Sequence, residues 1–160
     1  MLTATKSSRI DISEEKKTKS IAKIFSKNIK LGNSLFLKGE LGVGKTTFSR
    51  CFINYLQKKN KVKQTEVLSP TFNLLYEYEI KKFKVMHYDL YRIKNSKELD
   101  QLGIFKEDLN SIKIIEWPEL VKSNLVDRLE LHLKYSNKEN ERELTIAGHG
   151  KWKDINKNEL

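Results

Sequence analysis

At 160 residues, with 38% hydrophobic side chains against 32% charged ones, the chain carries enough apolar material for one globular core and too little length for two. No apolar stretch approaches the roughly eighteen residues of a membrane span, the start Met1-Leu-Thr-Ala-Thr-Lys lacks the apolar centre of a secretion signal, and the single Cys51 allows neither an internal disulfide nor a cysteine metal cluster, so a cytoplasmic protein without membrane contact is expected. The net charge of +10 permits contact with RNA, yet the lysines come in small scattered groups such as Lys58-Lys59 and Lys81-Lys82, which is also the pattern of a solvated surface.

In chain order, Ser13 is placed to cap a helix whose apolar face is Ile21, Ile24, Phe25 and Ile29, with Gly32 ending it. Leu35 to Lys38 reads as a buried strand, Gly39 to Gly44 as a tight loop, and Phe48, Phe52, Tyr55 and Leu56 as the stripe of the next helix, in which Cys51 is a small packing residue. After a lysine-rich connector, Ser69-Pro70-Thr71-Phe72 leads into an extended segment to about Glu79 and a strand from Phe83 to Tyr88 that delivers His87 and Asp89 at its end. Asn95-Ser-Lys-Glu98 resembles a capping box for a short helix ended by Gly103. Ile112 to Ile115 is another buried strand, and Leu129 to Tyr135 with Glu143 to Ala147 alternate as the two arms of a hairpin. The order predicts an α/β fold: a P-loop NTPase-like mixed sheet flanked by helices, one small domain over 1–150 with a C-terminal β-hairpin, and a flexible tail over 151–160.

The most specific signal is Gly39-Glu-Leu-Gly-Val-Gly-Lys-Thr46, a Walker A pattern between a strand and a helix. Glycines open backbone conformations closed to other residues, so amides can converge on phosphate oxygens at a helix N-terminus. The expected nucleotide-binding set is Glu40, Leu41, Gly42, Val43, Gly44, Lys45, Thr46 and Thr47, with the Lys45 ammonium on the phosphates and the Thr46 hydroxyl on Mg²⁺. Such a loop needs an acidic residue on a neighbouring strand, and Glu116 and Asp89 both end strands. Thr71 occupies a position where a switch threonine or an ordinary capped turn would both fit, and Trp117 lies either against the nucleotide or a partner, or in the core. Two guanine-type motifs fail: Asn140 stands where Asn137-Lys-Glu-x needs aspartate, and Asp100 follows polar residues where a buried strand should end. His87, His132 and His149 have no metal-ligand spacing.

Together the blocks 39–50, Ser69 to Phe72, His87-Tyr-Asp-Leu-Tyr-Arg92 and Glu116-Trp-Pro118 resemble the TsaE family, also called YjeE, the ATPase of tRNA threonylcarbamoyladenosine biosynthesis. The resemblance implies slow Mg²⁺-dependent ATP hydrolysis in support of the TsaD and TsaB proteins, which modify adenosine 37 of tRNAs reading ANN codons. By position it gives Lys45 and the loop amides the phosphates, Thr46 and Glu116 the Mg²⁺, Thr71 the switch segment, Asp89 a catalytic or metal-positioning role, and Arg142 a nucleotide contact. Direct tRNA contact stays open at this point. So do two other readings of the residues, a small-molecule kinase and a nucleotide-binding module without catalysis.

Overall fold

The computed structural model describes residues 9–121 and 125–154. In chain order the elements are β1 (Ile10–Asp11), α1 (Glu15–Asn28), β2 (Ser34–Lys38), α2 (Lys45–Lys59), β3 (Leu75–Ile80), β4 (Phe83–Asp89), α3 (Ser96–Gln101), β5 (Ser111–Glu116), β6 (Arg128–Tyr135) and β7 (Arg142–His149). The strands form one sheet in the order β1-β7-β6-β2-β5-β4-β3. Its centre, β6-β2-β5-β4, is parallel, and β7, β1 and β3 join antiparallel at the two sides. The expected mixed sheet and C-terminal hairpin are both present, as one domain.

Central strands with helices on both faces need apolar side chains in both directions. Leu35, Phe36 and Leu37 of β2 are all buried, as are all six residues of β5. On one face Leu35, Leu37, Val85, Ile112 and Ile114 pack beneath α1 and α2, where Phe25 meets Phe48 edge-on at 6.0 Å. On the other, Phe36, Tyr88 and Ile115 pack with Leu99 and Ile104 around α3. The hairpin arm β6 alternates as its sequence suggests, with Leu129, Leu131 and Leu133 inward.

Several local expectations are corrected. Ser13 does not cap α1; Glu14 holds that position without a side-chain bond, and the Ser13 hydroxyl instead accepts the Arg142 amide at 2.9 Å, tying the chain to β7. α1 stops at Asn28, and Gly32, at φ 80°, serves the turn into β2. In α2 the inward position beside Phe52 belongs to Ile53, while Tyr55 is only half-buried. The segment before β4 is a full edge strand, β3, folded back on β4 through a turn at Lys81-Lys82. The Asn95 cap forms as expected: its carbonyl oxygen accepts the Glu98 amide at 3.2 Å, and its amide group donates to the Glu98 carboxylate. The tail expected over 151–160 lies largely outside the described residues. Within them Trp152 packs against the core and its indole N–H donates to Asn33 at 3.0 Å.

Candidate functional site

Parallel strands deliver the loops at their C-terminal ends to one edge of the sheet, and the motif residues collect at that edge of β2, β5 and β4. The loop Gly39 to Gly44 turns from β2 into α2. Gly39 has φ 141°, and a side chain there would put its Cβ 2.3 Å from the Leu133 carbonyl oxygen, so only glycine lets the loop lie this close to β6. Gly42 and Gly44 are also at positive φ, 76° and 115°. The first turn of α2 contains no acidic residue and no side chain caps it, in contrast to α3. Its leading amides and positive dipole end are left to an external acceptor.

Lys45 folds back over this loop and donates to the carbonyl oxygens of Gly39 at 2.7 Å and Glu40 at 2.8 Å. The Lys45 ammonium also lies 3.9 Å from the centre of the Trp117 ring, which itself packs on Tyr91. Burial pushes the lysine below its ordinary pKa, and the charges of Glu116, Asp89 and Glu119 oppose that shift.

Glu116 and Asp89 are register partners on adjacent strands and share the α2 face of the sheet. Glu116 is 1% exposed, and its carboxylate oxygens are met by hydrogen-bond donors. Its Oε2 accepts from the Thr46 hydroxyl at 3.0 Å, while its Oε1 accepts from the Ser49 hydroxyl at 3.1 Å and lies 2.7 Å from His87 Nε2. Asp89 accepts the Thr71 hydroxyl at 2.7 Å on Oδ2 and the Tyr91 amide at 2.9 Å on Oδ1. Ser69 stands 2.8 Å from the same Thr71 hydroxyl, which closes the loop before β3 onto the site.

A cavity of about 190 Å³ is lined jointly by Leu41, Gly42, Gly44, Lys45, Thr46, Thr47, Ser69, Thr71, Asp89, Tyr91, Glu116 and Trp117. Three of the expected residues stand apart from it. Glu40 contributes its carbonyl to Lys45 and points its side chain to solvent, and Val43 sinks its side chain into the core. Arg142 lies behind the loop, where with Val43, Gly44, Thr47, Ser13 and Thr18 it lines a second cavity of about 190 Å³. A larger cavity, about 410 Å³, opens at the opposite edge against Ser34, Ser111 and Asp127 and contains none of the motif residues.

Sequence reasoning assigns no role to Ser49, His87 or Tyr91. Two of them carry a positional signal: Ser49 is one helical turn beyond Thr46, and His87 is two strand residues before Asp89 and so on the same face. The guanine-type motifs lie in other settings. Asp100 is exposed on α3, and Asn137 to Asn140 form the exposed turn between β6 and β7.

The site's side-chain donors around Thr46, Glu116, Asp89 and Thr71 are oxygens, the chemistry of a hard divalent cation. No group of three His, Cys, Asp or Glu residues is assembled for a metal among the described residues. The set therefore fits a cation that completes its shell from water and phosphate oxygens, as Mg²⁺ does, and not a caged metal.

The family described as "Threonylcarbamoyl adenosine biosynthesis protein TsaE" matches residues 12–144. The tRNA threonylcarbamoyladenosine biosynthesis protein TsaE of Rickettsia prowazekii is 44% identical over 125 residues, covering 77% of this chain and 83% of that protein. The protein of the same name from Bacillus subtilis is 33% identical over 135 residues, covering 83% and 80%. Among solved structures, the crystal structure of Bacillus subtilis YdiB superimposes with a TM-score of 0.66 at 27% identity, covering 91% of this chain and 88% of that one. With the family match spanning both carboxylate-bearing strands and the loop between β2 and α2, the chain belongs to the TsaE family.

Proposed function

We propose that the protein is a Mg²⁺-dependent P-loop ATPase of the cytoplasm that supports threonylcarbamoylation of adenosine 37 in tRNAs reading ANN codons, together with the TsaD and TsaB proteins. One observation carries the reading: a single cavity is lined by loop glycines, Lys45, Thr46 and two strand-end carboxylates. A triphosphate in that cavity would meet the uncapped start of α2 and draw Lys45 from the Gly39 and Glu40 carbonyls to its own oxygens. The Arg142 cavity on the other side of the loop is the place for the rest of the nucleotide.

Bound Mg²⁺ would neutralise charge on the β- and γ-phosphates and polarise the bond that breaks. Thr46 supplies the hydroxyl oxygen for it, and the bond from that hydroxyl to Glu116 fixes which way its lone pairs face. Asp89 is poised to orient the attacking water, because Thr71 and the Tyr91 amide hold its carboxylate at the cavity wall. Water oxygen would bond to the γ-phosphorus as its proton passes by way of the Asp89 carboxylate to the released phosphate, and the bond to the β-γ bridging oxygen would break with its electron pair leaving on ADP. Among the described residues lining the cavity there is no arginine to stabilise the transition state, so hydrolysis by the isolated protein should be slow and docking on TsaD and TsaB should exploit the cycle.

The relatives' named role in tRNA threonylcarbamoyladenosine biosynthesis supports the biological half of the reading. Its test is multiple-turnover threonylcarbamoylation of tRNA in a reconstituted mixture with and without this protein. Modification that proceeds equally well without it rejects the role, whatever its ATPase activity.

A further inference from the structure

His87 is fully buried on β4, and among the described residues its ring makes one hydrogen bond, from Nε2 to Glu116 Oε1 at 2.7 Å; Nδ1 has no partner. The other groups on Glu116 are divided between its two oxygens. Among the described residues Oε1 takes His87 and a Ser49 proton shared with the Lys45 carbonyl oxygen, both from the interior, and Oε2 takes only Thr46, which lines the cavity. A carboxylate offers about four acceptor sites, so Oε2 keeps a free one on the cavity side.

A glutamate end group turns easily about its last torsion, which has only broad preferences. Two donors on one oxygen remove that freedom: turning the carboxylate would break the bonds of both Ser49 and His87 in a place no water reaches. Of the two, the imidazole is the stiffer anchor, because β4 pairs with β5 and β3 on either side of it and His87 sits in register with Ile114 and Tyr76.

We infer that His87 is a positioning residue: it clamps Oε1 of Glu116 so that Oε2 faces the Thr46 hydroxyl and the metal shell. This rests on the Mg²⁺-ATP reading above. The donor of the clamp is Nε2–H. Partners behind a metal-site ligand typically govern its affinity or activity by about tenfold to a hundredfold.

The experiment compares wild type, His87→Gln and His87→Leu, each with a wild-type circular dichroism spectrum. ATP affinity is titrated at a series of Mg²⁺ concentrations and in EDTA. His87→Leu should weaken the Mg²⁺-dependent part of ATP binding about tenfold or more while leaving affinity in EDTA unchanged. His87→Gln, whose side-chain amide nitrogen can stand where Nε2 stands, should restore most of it. Wild-type Mg²⁺ dependence in His87→Leu, equal loss with and without metal, or a His87→Gln protein as impaired as His87→Leu overturns the inference. Imidazole ¹⁵N shifts of the wild-type protein give a reading that needs no variant to fold and no ligand: an Nε2 that carries no proton overturns it as well. If wild type itself shows no Mg²⁺-dependent ATP binding, the functional reading falls and takes this inference with it, whereas the other outcomes sink the inference alone.

Discussion

Lys45 is held by two carbonyl oxygens and an aromatic ring, with no carboxylate in an ion pair to it among the described residues. Those are weak competitors for an ammonium against a polyphosphate, and the apolar clusters do not depend on the ammonium. Lys45→Ala should therefore lose most ATP affinity while melting close to wild type; unchanged binding in the folded variant rejects the loop as the phosphate site. Because the Trp117 ring lies 3.9 Å from the same ammonium, Mg²⁺-ATP should also shift tryptophan emission in a Trp152→Phe background, and Lys45→Ala should abolish the shift. Glu116 and Asp89 are separable by their partners, one bonded to Thr46 and the other to Thr71. Glu116→Ala is expected to weaken metal-dependent nucleotide binding, and Asp89→Ala to spare binding and lower the hydrolysis rate tenfold or more, on the order of a lost positioned base. Equal effects of the two on binding would refute that division. Thr46, Asp89 and Glu116 were legible because a motif or a strand end announced them. Ser49 was only half legible: its place one turn beyond Thr46 puts it on the same helix face, but its bond to Glu116 comes from β5 passing beside α2, a fact of packing.

At the level of elements, the β2-loop-α2 unit depends on a close approach to β6. Gly39→Ala combines a φ of 141° with a Cβ 2.3 Å from the Leu133 carbonyl, and should destabilise the fold by about 3 kcal/mol in urea unfolding. Gly103→Ala provides the contrast, with φ 65° and nothing within 4 Å of its Cβ, and should cost about 1 kcal/mol from the backbone alone. Equal losses would show that the contact with β6 is easily relieved. The buried strands and the amphipathic helices were readable from periodicity, whereas the β3-β4 hairpin was not. Its turn is Lys81-Lys82, with Lys81 at φ 54°, and no glycine or asparagine marks a residue that must adopt that conformation. The N-terminal serine misled in the other direction: Ser13 has the chemistry of a helix cap, but the antiparallel pairing of β1 with β7 brings a competing backbone amide to it.

Across the whole molecule, the proposed preference for adenine over guanine would follow from a group that the β6-β7 turn lacks. The β6-β7 turn carries Asn140, an amide, where a guanine-binding loop would need a carboxylate to accept two N–H groups. GTP should compete with labelled ATP only weakly; competition as strong as that of ATP itself rejects the assignment. The sheet order also divides the site between two regimes of protection. Glu116 ends a strand whose six residues are all buried between two parallel neighbours, whereas Thr71 lies in a turn beside Phe72, which is 81% exposed. In deuterated solvent the amides of β5 should exchange only when the protein unfolds globally, and those from Thr71 to Asn73 through local opening, many orders of magnitude sooner. The bond from Thr71 to Asp89 can then break and re-form while the molecule stays folded and Asp89 keeps its place at the end of β4.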